Sequence, residues 1–340
     1  MDTYTPTYTP TSPTSPSLLG PHHLVHRPGS PEAFLFKATA PVRQNFAFSA
    51  QLPEEHPLFG DSGSRYHDLL FPIESLRRTM LFAARRYFRV PADRLPVLAS
   101  AGAAITGPDA WRRDGAGTRI ALDLGMTPLD VVGGVPRGLE CEAAVSIDGE
   151  RCGTASARLV FPVQGVRPGG AVLGRPESEE PAAAGGGVPA SPGVPLPEQV
   201  GHLDSRHVLV GLPAYAGAEG GDGLVFPVHS PAAAELPAEV PGVMEPTLFL
   251  EVSRQVGLLA AAELRGFVPS YAVLSRWQAS FEGVAESAVP LRCTVREEAR
   301  RADGRVSRDA EGRPVIDLRM SFSQGSRVVA RVSAAVLQDC

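Results

Sequence analysis

Two segments of the chain each place a glutamate three residues before an arginine and continue with an alanine-rich run. They read "FPIESLRRTMLFAARRYFRVP", with Glu74 and Arg77, and "LFLEVSRQVGLLAAAELRGFVP", with Glu251 and Arg254. A glutamate in an apolar channel can act as a general base on a substrate hydroxyl, because burial raises its pKa toward neutrality. An arginine can bind a phosphate through its planar two-point fork or orient an acyl group. The pairs are therefore candidates for catalysis and substrate binding.

The same spacing has an ordinary structural explanation. Glu74 and Arg78 are four residues apart, and Glu251 and Arg254 are three apart. On a helix, such pairs commonly form surface salt bridges worth a few tenths of a kcal/mol. Spacing alone leaves both interpretations open.

Composition excludes several classes of protein. The 340 residues suffice for roughly two domains, and 43% hydrophobic with 20% charged residues is typical of globular proteins. A net charge of -5 argues against a nucleic-acid partner. No apolar run is long enough for a membrane span, and no secretory signal pattern opens the chain, so we expect a cytoplasmic protein. The four cysteines lack metal or redox spacing, and no cofactor-binding motif occurs, so we expect neither a metal nor a cofactor.

The two glutamate–arginine segments belong to a longer repeat. Glu74 aligns with Glu251, and Arg77 with Arg254, at an offset of 177 residues. At an offset of 176, "PVLAS" aligns with "AVLSR", and "GERCGTASARLVF" with "GSRVVARVSAAVL". Because separate segments agree on one period, the chain contains two copies of one unit.

Each copy combines one long helix with several strands. An apolar stripe predicts helices from about Pro72 to Phe88 and from about Pro246 to Arg265, and alternating segments follow each helix. An antiparallel sheet curled around a single apolar helix is the hotdog fold, so we predict an α+β tandem, or double, hotdog. The predicted organisation is a disordered Thr/Pro/Ser tail (1–20), a first hotdog (21–164), a Pro/Gly/Ala linker (165–201) and a second hotdog (202–340).

Four motifs resemble the A-factor biosynthesis proteins, the γ-butyrolactone synthases of actinomycetes. They are "LVHR" (24–27), "HDLLFPIESLRR" (67–78), "AEVPG" (238–242) and "LEVSRQ" (250–255). In the second half the family has Asp-His before Val-Pro-Gly. This chain keeps Val-Pro-Gly but has Ala-Glu in place of Asp-His.

The resemblance implies a double hotdog that transfers a β-ketoacyl group from an acyl carrier protein to the hydroxyl of dihydroxyacetone phosphate or a similar small phosphorylated acceptor. The ester then closes toward a butenolide. Carried over from the family, the catalytic acid is Glu74 and the catalytic arginine is Arg254. Symmetry adds Arg77 and Glu251 as substrate-binding candidates. We expect the site between the two units, where helix N-terminal N–H groups could stabilise a thioester oxyanion by about 3–4 kcal/mol.

Two further groups could serve the same reaction. His67 and Asp68 could orient substrate at the tunnel mouth, or simply cap the following helix. Arg78, Arg85 and Arg89 share one side of the predicted helix, which could dock an acidic carrier protein or be a solvated face.

Two other functions stay open at the level of sequence. A hotdog dehydratase or thioesterase would need an acid with a histidine, and His67 with Asp68 could provide them. A non-catalytic acyl-binding protein would fit the missing Asp-His of the second half. For the assembly, the repeat allows a monomer with an internal pseudo-dimer or a homodimer.

Overall fold

The computed structural model describes residues 22–27, 43–51, 64–113, 118–162, 193–216, 223–229, 242–298 and 305–339. The predicted N-terminal tail, most of the predicted linker and Cys340 lie outside these ranges. The described end of the linker carries a short 3-10 turn, Pro197–Val200, whose Val200 is buried. The chain is therefore packed before the predicted start of the second half.

Two long helices, α1 (Leu70–Arg86) and α2 (Pro246–Arg265), stand in the described part of the chain. Helix α2 has the predicted bounds, whereas α1 begins and ends two residues earlier than predicted. The early end follows from a left-handed residue, Arg89 (φ 58), which lets the Val90 N–H donate to the Ala84 carbonyl and close the last turn. Arg89 therefore lies beyond the helix.

The strands form one antiparallel sheet, whose members among the described residues are β1 (His22–Arg27), β2 (Gln44–Gln51), β3 (Val97–Ile105), β4 (Arg119–Leu129), β5 (Gly138–Ile147), β6 (Glu150–Val160), β7 (Ala214–Tyr215), β8 (Leu224–Val228), β9 (Ala272–Phe281), β10 (Leu291–Glu297), β11 (Ser307–Arg308), β12 (Pro314–Gln324) and β13 (Arg327–Gln338). Their order is β1-β2-β4-β5-β6-β3-β9-β13-β12-β10-β8-β7, and β11 pairs with β12. Read outward from β3 and β9, the two halves repeat the same order, which confirms the repeat and the double hotdog.

The halves join through β3 and β9, which pair from Ser100 opposite Ser280 to Ala104 opposite Arg276. Small residues allow the strands to approach closely here. A Cβ on Gly102 would lie 3.3 Å from the carbonyl oxygen of Trp277, so glycine suits this position. The joint makes the sheet continuous and fixes α1 and α2 relative to each other.

Each helix packs against its half of the sheet and is buried on most of its surface. Helix α1 is buried almost continuously from Leu70 to Met80, and α2 from Thr247 to Ala261. The polar members of these runs are therefore inside the protein, where they need partners. The surface salt-bridge interpretation of the glutamate–arginine pairs is excluded by this burial.

Cys141, Cys152 and Cys293 are buried free thiols, and burial raises the pKa of all three, that of Cys152 to about 11. No helix in the described ranges combines the length and hydrophobicity that crossing a membrane requires.

Candidate functional site

The first cluster surrounds Glu74 on α1. Its carboxylate is 1% exposed and accepts hydrogen bonds from Arg77 Nε at 2.8 Å and Arg77 Nη2 at 2.9 Å. A third bond, of 2.6 Å, comes from Arg78 Nε. One buried carboxylate thus binds two guanidinium groups that follow it by one helical turn.

The pKa of Glu74 departs from the predicted direction. Burial alone would raise it, but the charges and hydrogen bonds of Arg77 and Arg78 outweigh burial and hold the pKa below its ordinary value. The expectation of a pKa raised toward neutrality was wrong. Glu74 is a stably ionised carboxylate, which makes it a weak general base and a strong anchor for arginine.

The second cluster surrounds Arg254 on α2 and joins the halves. Arg254 donates from Nε to Glu251 Oε2 at 2.8 Å and from Nη2 to Glu251 Oε1 at 2.6 Å. Its Nη2 also lies 2.9 Å from His202 Nε2. From the first half, Asp68 places Oδ2 3.3 Å from Arg254 Nε. One guanidinium is therefore shared by two carboxylates from different halves.

The pKa values in this cluster follow from burial and from the shared cation. Burial opposes the ionisation of Glu251, yet Arg254 and His202 overcome it and lower the pKa of Glu251 to about 2. Burial raises the pKa of Asp68; Arg254 opposes that shift, and the Glu251 charge adds to it. Burial lowers the pKa of Arg254, but the charges of Glu251 and Asp68 outweigh burial and hold this pKa above its ordinary value.

The residue after each arginine distinguishes the clusters. Gln255 follows Arg254, donates to Glu251 Oε1 at 2.8 Å and to the His207 carbonyl at 2.6 Å, and accepts the Leu209 N–H. The equivalent position after Arg77 is Arg78, at the repeat offset of 177. The α1 cluster therefore has a second cation where the α2 cluster has a neutral amide.

His202 is a member of the α2 cluster that the sequence analysis missed. Its side chain is fully buried, and Nε2 lies 2.7 Å from Glu251 Oε1. It stands at the boundary between the predicted linker and the second half. The repeat offers the missing signal, because His202 aligns with His26 of "LVHR" at the offset of 176.

Asp68 contacts both the start of α1 and the second half. Its Oδ1 accepts the Leu70 N–H at 2.8 Å, which is consistent with capping, while its Oδ2 faces Arg254. A role of Asp68 in orienting substrate stays a prediction. The neighbouring His67 is half-buried, and its backbone N–H donates to the Trp111 carbonyl. The turn before α1 is thus fixed to both halves.

A cleft of about 170 Å³ lies between the halves, and Arg77 of the first cluster forms part of its wall. It is lined by Arg77, Leu95, Pro96, Val97, Leu98, Leu159, Val243, Met244, Glu245, Pro246, Phe249, Phe281, Gly283, Val284 and Ala285. The walls are mostly apolar, and the charged groups in them are Arg77 from the first half and Glu245 from the second. Such a cleft suits an acyl chain with a polar or charged end.

The N-terminus of α2 opens at this cleft. Helix α2 begins at Pro246, has no acidic residue in its first turn and no side-chain hydrogen bond at its cap. The Leu248 and Phe249 N–H groups donate to the Glu245 carbonyl. The positive end of the helix dipole is therefore directed at the cleft that Arg77 lines.

The family model for the A-factor biosynthesis hotdog domain matches residues 11–162 and 196–337. The chain belongs to this family. A search of curated proteins gave no match.

Several solved structures resemble this chain only distantly. A putative thioesterase from Novosphingobium aromaticivorans is 13% identical, with a TM-score of 0.46 over 89% of this chain and 100% of that one. A putative oleoyl thioesterase from Lactobacillus plantarum is 11% identical, with a TM-score of 0.48 over 89% and 98%. The dehydratase domain of the terminal rifamycin polyketide synthase module is 17% identical, with a TM-score of 0.45 over 86% and 90%. Likenesses this distant say nothing of what this chain binds.

The structure separates some residues that the sequence grouped together. Glu74 binds Arg77 and Arg78, whereas Arg254 binds Glu251, His202 and Asp68, so the two carried-over catalytic residues occupy different clusters. The predicted docking stripe is divided as well. Arg78 is tied to Glu74, Arg85 is exposed on α1, and Arg89 lies beyond the helix end.

Within the described ranges, no group of three or more His, Cys, Asp or Glu side chains could hold a metal ion.

Proposed function

We propose that this protein transfers a β-ketoacyl group from an acyl carrier protein to the hydroxyl of a small phosphorylated acceptor such as dihydroxyacetone phosphate. The observation that carries the proposal is the cleft between the halves, with apolar walls, Arg77 on one side and the α2 N-terminus on the other. It combines a channel for an acyl chain, a cation for a phosphate and the positive end of a helix dipole for a thioester oxygen.

The donor would occupy the apolar side of the cleft. Leu98 and Leu159 of the first half face Phe249 and Phe281 of the second, and this surface suits the alkyl part of a β-ketoacyl group. The thioester carbonyl would point toward the first turn of α2, because the helix dipole stabilises negative charge that develops on its oxygen.

The acceptor phosphate would bind at Arg77. Glu74 contacts two arginines, Arg77 and Arg78, and of these Arg77 lines the cleft. At the other cluster, Arg254 is shared by Glu251 and Asp68 and does not line the cleft. A phosphate bound in the cleft would therefore reach Arg77, whose guanidinium suits phosphate oxygens.

We propose roles that differ from those that the family resemblance implied. Glu74 positions Arg77 through two parallel hydrogen bonds and does not itself line the cleft. Arg254, Glu251 and Asp68 hold the turn before α1 against α2. His67 stays a candidate for orienting substrate at that end through its position beside Asp68.

The carrier protein would dock beside the mouth of the cleft. Residues 70–94 contain six arginines and two acids, in a chain whose net charge is -5. Arg85, Arg86 and Arg89 are exposed and form no ion pair with another described residue. This basic segment leads directly into Leu95, which lines the cleft and is 54% exposed. Acidic carrier proteins complement such a surface.

Intact-mass measurement of a β-ketoacyl carrier protein tests the proposal. The carrier is incubated with the protein, with and without dihydroxyacetone phosphate. We expect release of the acyl group that depends on the triose, with the acyl ester of the triose as product. Release at the same rate without the triose, or a stable acyl carrier in both reactions, would refute the transfer.

Thioester hydrolysis or dehydration is the second candidate. Asp68 favours it, because burial raises the pKa of this carboxyl beside the N-terminus of α1, which makes it a better proton acceptor than an ordinary carboxylate. In the same mass measurement, hydrolysis releases the acid without triose, and dehydration removes one water from the acyl chain.

A further inference from the structure

A carboxylate that the sequence analysis did not select lies in the proposed acyl-transfer cleft. Glu245 immediately precedes α2 and lines the cleft together with Arg77. At the repeat offset of 177, which relates Glu74 to Glu251, Glu245 is the counterpart of Asp68. Asp68 reaches across the halves to Arg254. The acid before each helix therefore lies near the arginine of the other half: Asp68 is close to Arg254, and Glu245 lines the same cleft as Arg77.

The two carboxylates near Arg77 differ in what they can do. Glu74 is fully buried, is absent from the cleft wall and is held ionised by two arginines that lower its pKa. Glu245 is half-buried and forms part of the cleft wall. A general base has to reach the proton that it removes, so geometry favours Glu245.

Glu245 stands directly before the first turn of α2, where the helix dipole favours a negative charge.

We propose that Glu245 is the general base of the acyl transfer, an inference that rests on the proposed function. The Glu245 carboxylate removes the proton from the acceptor hydroxyl while the hydroxyl oxygen attacks the thioester carbonyl carbon. The new carbon–oxygen bond forms, the carbon–sulfur bond breaks, and the leaving thiolate takes the proton from Glu245. The products are the acyl ester and the carrier thiol, and the carboxylate is restored.

The test compares Glu245→Gln, Glu245→Asp and the control Glu263→Gln, which changes an exposed glutamate on the same helix. The assay is single-turnover transfer from a β-ketoacyl carrier protein to dihydroxyacetone phosphate. We expect Glu245→Gln to lower kcat by about 10²–10⁴-fold with little change in KM for the triose. Glu245→Asp should retain part of the rate, and Glu263→Gln should match the wild type.

A Glu245→Gln protein that keeps its melting temperature and transfers within about three-fold of the wild-type rate would overturn the assignment. So would a loss that appears only in KM. If the wild-type protein itself shows no triose-dependent transfer, the proposed function fails, and that result is separate from the behaviour of Glu245.

Discussion

Asp68 Oδ2 of the first half lies 3.3 Å from Arg254 Nε of the second half, inside the protein. The contact ties the turn before α1 to the middle of α2. Because Arg254 is also bonded to Glu251 and His202, the two halves share one buried network as well as the β3–β9 joint. Their relative position, and with it the shape of the cleft, depends on these two connections.

Glu251→Ala should lower the free energy of unfolding by roughly 3–5 kcal/mol, because it removes the bidentate partner of a buried arginine. Urea denaturation followed by circular dichroism measures the change. The control is Glu263→Ala, an exposed position on the same helix, for which we expect a change of about 0.5 kcal/mol or less. Equal stability of the two variants would show that the network contributes little.

The stabilisation by Glu251 should also depend on pH. The pKa of Glu251 in the folded protein is lowered to about 2. Its contribution to the free energy of unfolding is therefore fully present above the pKa of Glu251 in the unfolded chain, and it is lost as the pH falls through the pKa in the folded protein. Unfolding measured from about pH 6 down to about pH 2 should show the wild-type advantage over Glu251→Ala shrinking at the acid end. An advantage that stays constant over this range would contradict the lowered pKa.

Asp68→Asn should behave in the opposite way. Burial raises the pKa of Asp68 in the folded protein, so ionisation of this carboxyl disfavours the folded state. The stability that the protonated carboxyl contributes is fully present below the pKa of the unfolded chain, and it is lost as the pH rises through the raised pKa of the folded protein. Each unit of raised pKa corresponds to about 1.4 kcal/mol. Relative to the wild type, Asp68→Asn should therefore gain stability as the pH is raised above about 4, the ordinary pKa of an aspartate. A variant that loses stability over this interval would show that the ion pair outweighs burial.

Glu74→Gln should weaken acceptor binding, because Glu74 holds the Arg77 guanidinium in place. We expect KM for dihydroxyacetone phosphate to rise by about 10-fold or more, and kcat to fall less than in Glu245→Gln. Steady-state transfer with varied triose measures both constants. A fall confined to kcat, as large as that of Glu245→Gln, would instead support Glu74 as the base.

A double charge reversal, Arg85→Glu with Arg86→Glu, should weaken docking of the carrier protein. The side chains are exposed and form no ion pair among the described residues, so the fold should be unaffected. We expect KM for the acyl carrier to rise by about 10-fold at low salt and the difference to shrink in high salt, because surface charges are screened. The same acyl group on free pantetheine should react equally with both proteins. An unchanged KM for the carrier would remove this surface from consideration.

The fold was accessible from the sequence because it depends on local periodicity and on the repeat. The apolar stripe predicted α2 from Pro246 to Arg265 as observed, and the alternating segments predicted the strands that follow each helix. Helix α1 was misplaced by two residues, because its end depends on the left-handed Arg89 and not on Pro91 alone. That conformation is rare for arginine, so composition gave no sign of it.

The site was accessible only in part. Motif spacing selected Glu74, Arg77, Glu251 and Arg254, and all four are buried in clusters. It could not show that the sheet joint brings Asp68 to Arg254, nor that two arginines would lower the pKa of Glu74. Both results depend on the direction of side chains in three dimensions.

The most direct test of the account fills the cleft without touching a charged group. Val284 lines the cleft and is 42% exposed, so Val284→Trp can block the mouth at little cost to stability. The control, Val268→Trp, changes a similarly exposed valine (46%) that does not line the cleft. The measurement is single-turnover transfer of a β-ketoacyl group to dihydroxyacetone phosphate. We predict that Val284→Trp loses transfer by about 10-fold or more while Val268→Trp matches the wild type; full transfer by a folded Val284→Trp protein would contradict the placement of the reaction in this cleft.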